Sequence, residues 1–378
     1  MEWHNGLGLE SPEFACVSMV WMINIFLIFV FYNAMTASYK KYELIFKRAS
    51  GTSRGILTTK ETYFIKIEDD GMFGIGECAV FRGLSSDDVP HYEELMQWTC
   101  SNIHLGLKEL LKRLKDFPSI QFGLEQAFLS LKSKDPFELF PSEFTQNGAG
   151  IPINGLVWMG DKKFMKSQIE EKLKAGFSTI KMKIGAIDFK AELELLKSIR
   201  MEFSVEDITL RVDANGAFTP ENALEKLKRL SEFDIHSIEQ PIRQGQFEAM
   251  AQLCAQTPLD IALDEELIGI NDVTKKRELL QMIKPQFIIL KPSLVGGIEG
   301  SEEWIQFSKQ QGIDYWITSA LESNIGLNAI AQWTYTLNSE LPQGLGTGSL
   351  FTNNIASPLK VEKGQLYYKS EDWNFNIL

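Results

Sequence analysis

Short apolar runs alternate with amphipathic helical segments from about residue 150 to residue 350. The segment KFMKSQIEEKLKAGF places Met165, Ile169 and Leu173 on one helical face and ends at Gly176. Further strand-like runs, each followed by a helical segment, are STIKMKIG, ITLRVDANG, IHSIEQP, LDIALDEE, QFIILKPS and DYWITSALES. Repeated strand–helix units predict a parallel sheet. With PINGLVWMG as the first strand, the pattern predicts an α/β fold, a (β/α)7-8 TIM-like barrel over residues 150–352.

The remaining segments differ from this alternation. Residues 36–145 read as a few strands followed by helices, which predicts an α+β capping domain ahead of the barrel. The tail, 355–378, reads as strand–turn–strand around Lys363-Gly364, and we expect it to return to and complete that domain. An open doubly wound sheet is the alternative to a barrel. No GxGxxG follows the first strand, so dinucleotide binding has no support.

An uncharged stretch at 15–34 dominates the head of the chain, residues 1–35. It is long enough to cross a bilayer, which takes ~20 residues. If it inserts, Lys40 and Lys41 place the rest of the chain in the cytoplasm. Alternatively, Met35 is the natural start and the head is spurious. We favour this second interpretation and expect a cytoplasmic protein, because nothing later in the chain needs a membrane.

Composition narrows the classes of partner. The chain has 378 residues and a net charge of -12, so its surface repels nucleic acid and anionic lipid. Its four cysteines are scattered without a CxxC pair, which argues against a zinc module or a disulfide scaffold. The same surface repels anionic substrates at long range, so a small-molecule carboxylate as the partner would need local positive charge at its site. A monomer and a homo-oligomer both remain open.

Charged residues stand at the carboxyl ends of successive predicted strands. They are Lys181, Lys183, Asp213, Glu239, Asp264 and Lys291. The gaps from Lys183 onward are 30, 26, 25 and 27 residues, so each gap is one β/α unit. Barrel enzymes place their reactive groups at this rim. A single K-x-K or a single acidic residue at a strand end is usually a solvated edge or a turn, but the ordered set favours a site.

Three carboxylates on one rim repel one another, so either some of them are protonated or a divalent cation holds them. Oxygen ligands without His or Cys suit Mg2+, or less often Mn2+. Lysines beside a dication have their pKa lowered, and a lysine that can be neutral acts as a general base. The pattern therefore predicts proton abstraction from a carbon next to a metal-bound carboxylate.

The motifs KMK, DANGAF, EQP, DEE and KPSLVGG together resemble the muconate-lactonising subgroup of the enolase superfamily, over roughly residues 40–370. The resemblance implies that Lys183 removes the α-proton and that Lys291 stabilises the enediolate across the ring. It implies that Lys181 contacts the substrate carboxylate and that Asn215 supports the metal shell. The implied Mg2+ ligands are Asp213, Glu239 and Asp264.

Four further segments are similar to the dehydratases of that subgroup that act in menaquinone biosynthesis. They are SRG at 53–55, GIGECAVFRGLS, INGLVW and TSALESNIG. The similarity implies a carbon–oxygen lyase that converts 2-succinyl-6-hydroxy-2,4-cyclohexadiene-1-carboxylate to 2-succinylbenzoate. Arg54 would belong to the cap that closes over the substrate. Ser319 and the GTGS loop would bind the succinyl carboxylate through backbone N–H groups.

Other activities remain open at this stage. N-succinylamino acid racemases and dipeptide epimerases of the same superfamily use the same two lysines, one on each face of the substrate. Dipeptide epimerases usually carry Asp-x-Asp after the eighth strand, where this chain has GTGSLF. A non-catalytic binding barrel tethered by residues 15–34 is the alternative outside catalysis.

Overall fold

A computed structural model describes residues 35–52, 55–158, 160–185, 187–369 and 371–374. The apolar stretch at 15–34 and Arg54 lie outside the described residues. Within these ranges, no helix is both long enough and apolar enough to cross a membrane.

The N-terminal part is an antiparallel sheet with helices on one side. Its strands are β1 (Thr36–Thr52), β2 (Gly55–Asp69) and β3 (Met72–Cys78), paired in that order. Its helices are α1 (Tyr92–Ser101), α2 (Gly106–Arg113), α3 (Pro118–Lys132) and α4 (Glu143–Gln146). Asp70 and Gly71 join β2 to β3, and both have positive φ, 47° and 77°. Two such residues form the tight turn that matches the twist of a hairpin.

Helix α3 approaches β3 closely because glycines line the contact. A Cβ added to Gly76 would lie 2.0 Å from the carbonyl oxygen of Gly123, and one added to Gly74 would lie 2.1 Å from that of Ala127. Only hydrogen fits at these positions. The backbone of α3 therefore packs directly against the backbone of β3.

The central sheet consists of parallel strands in sequential order. The strands are β5 (Gly155–Val157), β6 (Thr179–Lys183), β7 (Thr209–Asp213), β8 (Ile235–Glu239), β9 (Ile261–Leu263), β10 (Phe287–Leu290) and β11 (Asp314–Ile317). The helices that cover it are α5 (Lys162–Lys174), α6 (Phe189–Glu202), α7 (Pro220–Ser231), α8 (Phe247–Gln256), α9 (Val273–Ile283), α10 (Pro292–Val295), α11 (Gly297–Gln310) and α12 (Asn324–Thr336). Helix α7 begins at Pro220, and Thr219 is its N-cap residue and forms a capping box with Asn222.

Two residues close the barrel where an eighth strand would stand. Gln343 bridges Ile153 in parallel, and Gly344 bridges Thr318. The backbone N–H of Asn154 donates to the Gln343 carbonyl at 2.9 Å, and that of Gly344 donates to the Ile317 carbonyl at 2.8 Å. The prediction of a (β/α)7-8 barrel with an N-terminal cap is confirmed.

The tail forms the expected hairpin, but its partner is a short strand at the entry to the barrel. Strands β12 (Leu359–Glu362) and β13 (Gln365–Tyr368) turn at Lys363-Gly364, and β13 pairs with β4 (Ile151–Pro152). Contact with the cap comes from residues on either side of the hairpin. Phe351 packs on Phe46 with ring centres 4.7 Å apart, and Trp373 stacks on Phe137 at 4.5 Å.

Candidate active site

Strand pairing brings the charged strand ends together. Lys183 is the register partner of Asp213, and Asp213 is the partner of Glu239. Asp264 and Lys291 directly follow β9 and β10. Lys181 points the same way as Lys183, because side chains alternate along a strand.

The lysines and carboxylates form ion pairs across neighbouring strands. Lys181 Nζ lies 3.0 Å from Asp213 Oδ2 and also contacts the carboxylate of Glu239. Lys183 Nζ lies 2.9 Å from the same Asp213 oxygen, and Lys291 Nζ contacts the Asp264 carboxylate. The carboxylates are almost fully buried, so each depends on these ammonium groups for its counter-charge.

Burial and charge shift the pKa values in opposite directions. For Asp213, burial favours the neutral acid, but Lys181 and Lys183 outweigh it and hold the pKa of that carboxyl well below its usual range. For Glu239, burial and the neighbouring Asp213 charge raise the pKa well above its usual range. For Lys181 and Lys291, burial alone would lower the pKa, but the surrounding carboxylates raise it. The ammonium groups of Lys181 and Lys291 therefore compensate part of the negative charge of this carboxylate cluster.

A cavity of about 170 Å³ opens at this end of the barrel. Both Lys183 and Lys291 line it, as do Lys181, Asp213 and Glu239. Its uncharged walls include Phe81, Leu84, Asn154, Leu156, Trp158, Thr318, Ser319, Leu321, Gly344, Gly346, Thr347 and Leu350. Phe81 and Leu84 come from the segment after β3, so the N-terminal domain forms part of the wall.

The carboxylates do not form a ready-made metal site in this conformation. No three His, Cys, Asp or Glu side chains of the described ranges are arranged to share an ion. The physical reason is that uncompensated carboxylates repel, and each here turns toward a lysine instead. However, Glu239 Oε1 is buried and accepts no hydrogen bond from the part of the chain that the structure describes. An unsatisfied buried oxygen beside further carboxylates fits a hard divalent cation. The metal roles of Asp213, Glu239 and Asp264 stay predictions.

Glu265 is a cavity residue that the strand-end pattern did not single out. It follows Asp264 in the sequence DEE, and its Oε1 accepts a hydrogen bond from Asn215 Nδ2 at 3.0 Å. Asn215 in turn accepts from Lys183 Nζ at 2.6 Å. Asn215 adopts a positive φ of 43°, which turns its side chain back toward the rim. The sequence DEE does show a second acidic residue at this strand end. However, side chains alternate along a strand, and this alternation predicts that the side chain after Asp264 faces away from the barrel axis.

Ser319 lines the cavity, but both of its hydrogen-bond donors are engaged. Its backbone N–H donates to the Gly344 carbonyl at 3.1 Å, and its hydroxyl donates to Glu322 Oε2 at 2.5 Å. The hydroxyl also accepts from Thr347 Oγ1 at 2.8 Å. Both donors of Ser319 therefore bond to neighbouring residues of the wall, and its role in binding the substrate stays a prediction.

Comparison with known proteins gives the class. A family model described as "Enolase C-terminal domain-like" matches residues 165–371. The chain belongs to the enolase superfamily.

Within that superfamily, the chain is similar over nearly its whole length to the o-succinylbenzoate synthase of Desulfotalea psychrophila. The two are 46% identical over 365 residues, which are 88% of this chain and 99% of that protein. The crystal structure of MenC from the same organism superposes with a TM-score of 0.80 at 43% identity, covering 89% of this chain and all of that one. The resemblance drawn from the motifs is confirmed.

A more distant relative shares the fold. The dipeptide epimerase of Enterococcus faecalis, solved with Mg and the dipeptide L-Leu-L-Tyr, has a TM-score of 0.78 at 20% identity and covers 89% of this chain and 97% of that one.

Proposed function

We propose that this chain is an o-succinylbenzoate synthase, a Mg2+-dependent hydro-lyase that dehydrates 2-succinyl-6-hydroxy-2,4-cyclohexadiene-1-carboxylate to 2-succinylbenzoate. The observation that carries the proposal is the 46% identity to the curated o-succinylbenzoate synthase across 99% of that protein. The cavity supports it, because two lysines from different strands face the same space.

Lys183 is the proposed acid–base residue. It takes the proton from the ring carbon that bears the carboxylate, and the electron pair of that C–H bond moves toward the carboxylate, which becomes the enediolate. The electron pair then returns to form the third ring double bond as the C–O bond at the hydroxyl-bearing carbon breaks, and Lys183 returns the proton so that hydroxide leaves as water. The ring becomes aromatic, which makes the overall reaction strongly downhill. Lys291 faces the same cavity and stabilises the negative charge of the enediolate by its own positive charge.

The proposed Mg2+ ligands are Asp213, Glu239 and Asp264. When bound, the cation stabilises negative charge on the substrate carboxylate, the arrangement that the enolase superfamily exemplifies. Lys181 contacts both Asp213 and Glu239 and is proposed to contact that carboxylate as well. Asn215 orients Lys183 through its amide oxygen, and Arg54 is proposed to close over the substrate from the cap.

The test is a metal-dependent absorbance assay for 2-succinylbenzoate. We expect formation of the aromatic product with Mg2+ and none after chelation. Absence of product from well-folded, Mg2+-supplied protein would exclude the synthase.

A second activity is favoured by the same pair of lysines. Amines on two strands that face one cavity suit proton removal on one side of a carbon and return on the other, as racemisation requires. The N-succinylamino acid racemase of Thermus thermophilus is 27% identical over 303 residues. Incubation with N-succinylamino acids and polarimetry tests this, and unchanged rotation at high enzyme concentration would exclude it.

A further inference from the structure

Arg211 is a buried cation in the interior of the barrel. It lies on β7 two residues before Asp213, so both side chains face the same way, and only 2% of its surface is exposed. Its guanidinium carbon lies 4.0 Å from the ring centre of Trp316 on β11, which packs in a buried cluster with Ala262 and Ile289. Burial lowers the pKa of the guanidinium to about 10, so it is still charged near neutral pH. A charge in apolar surroundings is costly, so this side chain calls for a compensating role.

The guanidinium bonds to a stretch of chain in another part of the barrel wall. Arg211 Nη1 donates to the carbonyl oxygen of Pro342 at 2.8 Å. Pro342 begins the closing segment, residues 342–350. Strand β7 pairs with β6 and β8, whereas the closing segment bridges residues next to β5 and β11. The hydrogen bond therefore joins two parts of the wall that do not pair with each other.

The residues that follow Pro342 close the barrel and form part of the cavity wall. Gln343 and Gly344 make the bridges that close the barrel, and Gly344, Gly346 and Thr347 line the cavity. A proline has no backbone N–H, so the carbonyl is the backbone group of Pro342 that a hydrogen bond can hold. The bond from the guanidinium therefore holds the closing segment at its start, two residues ahead of its first cavity residue.

Stability alone does not explain a charged side chain at this position. Replacing buried charged groups by apolar side chains of similar volume is often neutral or even stabilising. Among the described residues, no carboxylate forms an ion pair with Arg211, and its Nε is buried without a hydrogen-bond partner. What the side chain does provide is a fixed position for the Pro342 carbonyl.

We infer that Arg211 is a positioning residue for substrate binding: its guanidinium, packed on Trp316, holds the Pro342 carbonyl and thereby fixes the cavity wall that the closing segment forms. Lys183 and Lys291 stand at the ends of other strands, so their positions do not depend on this bond. The inference rests on the proposed function for its kinetic readout.

The experiment compares Arg211→Met and Arg211→Lys with Lys276→Met, measuring kcat, KM and melting temperature. Lys276 is the matched control because it is also buried, with 1% of its surface exposed. Its ammonium likewise donates to a backbone carbonyl, that of Gly300 at 2.9 Å, and lies 5.6 Å from the ring centre of Trp304. However, it lies on α9, and its contacts are on α11, so it does not touch the closing segment.

The two parts of the kinetic constant should separate. We expect Arg211→Met to raise KM at least about fivefold and to keep kcat within about threefold, because the wall shifts while both lysines stay in place. Arg211→Lys keeps a donor on a long side chain, so its KM should lie between those of Arg211→Met and the wild type. Lys276→Met should lower the melting temperature and leave KM within about twofold. A KM of Arg211→Met equal to that of Lys276→Met, or a loss confined to kcat, would overturn the inference.

Hydrogen exchange tests the same bond without substrate. In the wild type, the backbone N–H of Gln343 donates to the Pro152 carbonyl and that of Gly344 to the Ile317 carbonyl, both at 2.8 Å. We expect these two amides to exchange at least about threefold faster in Arg211→Met, and to be unchanged in Lys276→Met. If Arg211→Met does not fold, Arg211→Lys should show a smaller change in the same direction.

The two proposals fail in different ways. A wild-type protein without turnover contradicts the synthase assignment alone, and the exchange rates of the closing segment then still test the role of Arg211. Exchange in the Arg211 variants at the wild-type rate would remove the inference, whatever the activity.

Discussion

Lys183 Nζ lies 2.9 Å from Asp213 Oδ2, and Asp213 shares that same oxygen with Lys181 at 3.0 Å. One carboxylate oxygen therefore holds two ammonium groups with different proposed roles. A cation bound by Asp213 would compete with both lysines for this oxygen. Metal binding at Asp213 would therefore change the contacts of Lys181 and Lys183 through one atom.

Lys183→Ala should abolish turnover while leaving the fold intact. Loss of a general base costs about 10²–10⁴-fold in rate, and here the same amine also serves as the acid. The measurement is kcat by product absorbance beside circular dichroism. Lys174→Ala, at the exposed end of α5, is the control. A near-normal rate for Lys183→Ala would refute the assigned base.

Glu239→Gln should weaken Mg2+ binding. The change replaces the two carboxylate oxygens of Glu239, of which Oε1 is buried and unsatisfied, by a neutral carbonyl oxygen and an NH2 group. A neutral amide is a poorer ligand for a hard cation than a carboxylate. Titration calorimetry of Mg2+ into the apo protein should show at least about a tenfold rise in Kd. Glu232→Gln, an exposed change at the end of α7, should bind like the wild type. Equal affinity in all three proteins would rule out Glu239 as a ligand.

Gly76→Ala should destabilise the N-terminal domain. The added methyl group would lie 2.0 Å from the Gly123 carbonyl oxygen, so helix α3 must move away from β3. Overpacking of this kind costs about 1–3 kcal/mol or more. Urea denaturation measures the free energy of unfolding. Met72→Ala, at a half-exposed position on the same strand, should change it by less than about 0.5 kcal/mol. Equal effects of the two changes would contradict the close contact.

Glu125 should make stability depend on pH. Its carboxyl lies at the amino end of α11, where Oε2 accepts from the N–H of Ile298 at 2.5 Å and Oε1 from that of Glu299 at 2.9 Å. Burial raises its pKa to about 8, against the lowering effect of these two hydrogen bonds. Between the ordinary value of 4.5 and about 8, the folded protein holds a proton that the unfolded chain has released. The contribution of this group is therefore full below the lower value and is lost as the pH rises to the upper one.

Glu125→Gln removes this titration. Relative to the variant, the wild type should lose up to about 1.4 kcal/mol of stability per pH unit inside that window. Urea melts at pH 5, 6, 7 and 8 measure it, with Glu94→Gln as an exposed control on α1. A constant difference between wild type and Glu125→Gln across the series would show that the carboxyl is already ionised.

The barrel and its charged rim were predictable because their signals are local and repeat. Each strand is a short apolar run that ends in a charged residue, and the spacing from Lys183 to Lys291 counts the β/α units directly. Parallel strands in sequential order then place consecutive residues side by side, as the pairing of Lys183 with Asp213 shows.

Features that depend on contacts distant in sequence were not predictable. Closure by Gln343 and Gly344 involves isolated bridges without a strand-like pattern. The pairing of the tail hairpin with Ile151–Pro152 joins segments more than 200 residues apart. Nothing in the sequence KETYF marks Lys60 as a residue with only 6% of its surface exposed.

The closure by two residues has a consequence for how substrate preference can change. Between Gln343 and Asn353, a single stretch of chain completes the barrel, supplies Gly344, Gly346 and Thr347 to the cavity wall, and docks on β1 through Phe351. Insertions or deletions in this stretch would change both the shape of the cavity and the surface on which the N-terminal domain packs. The seven regular strands, with the lysines and carboxylates at their ends, would keep their positions, so new substrates could be accommodated while the residues proposed for proton transfer are retained.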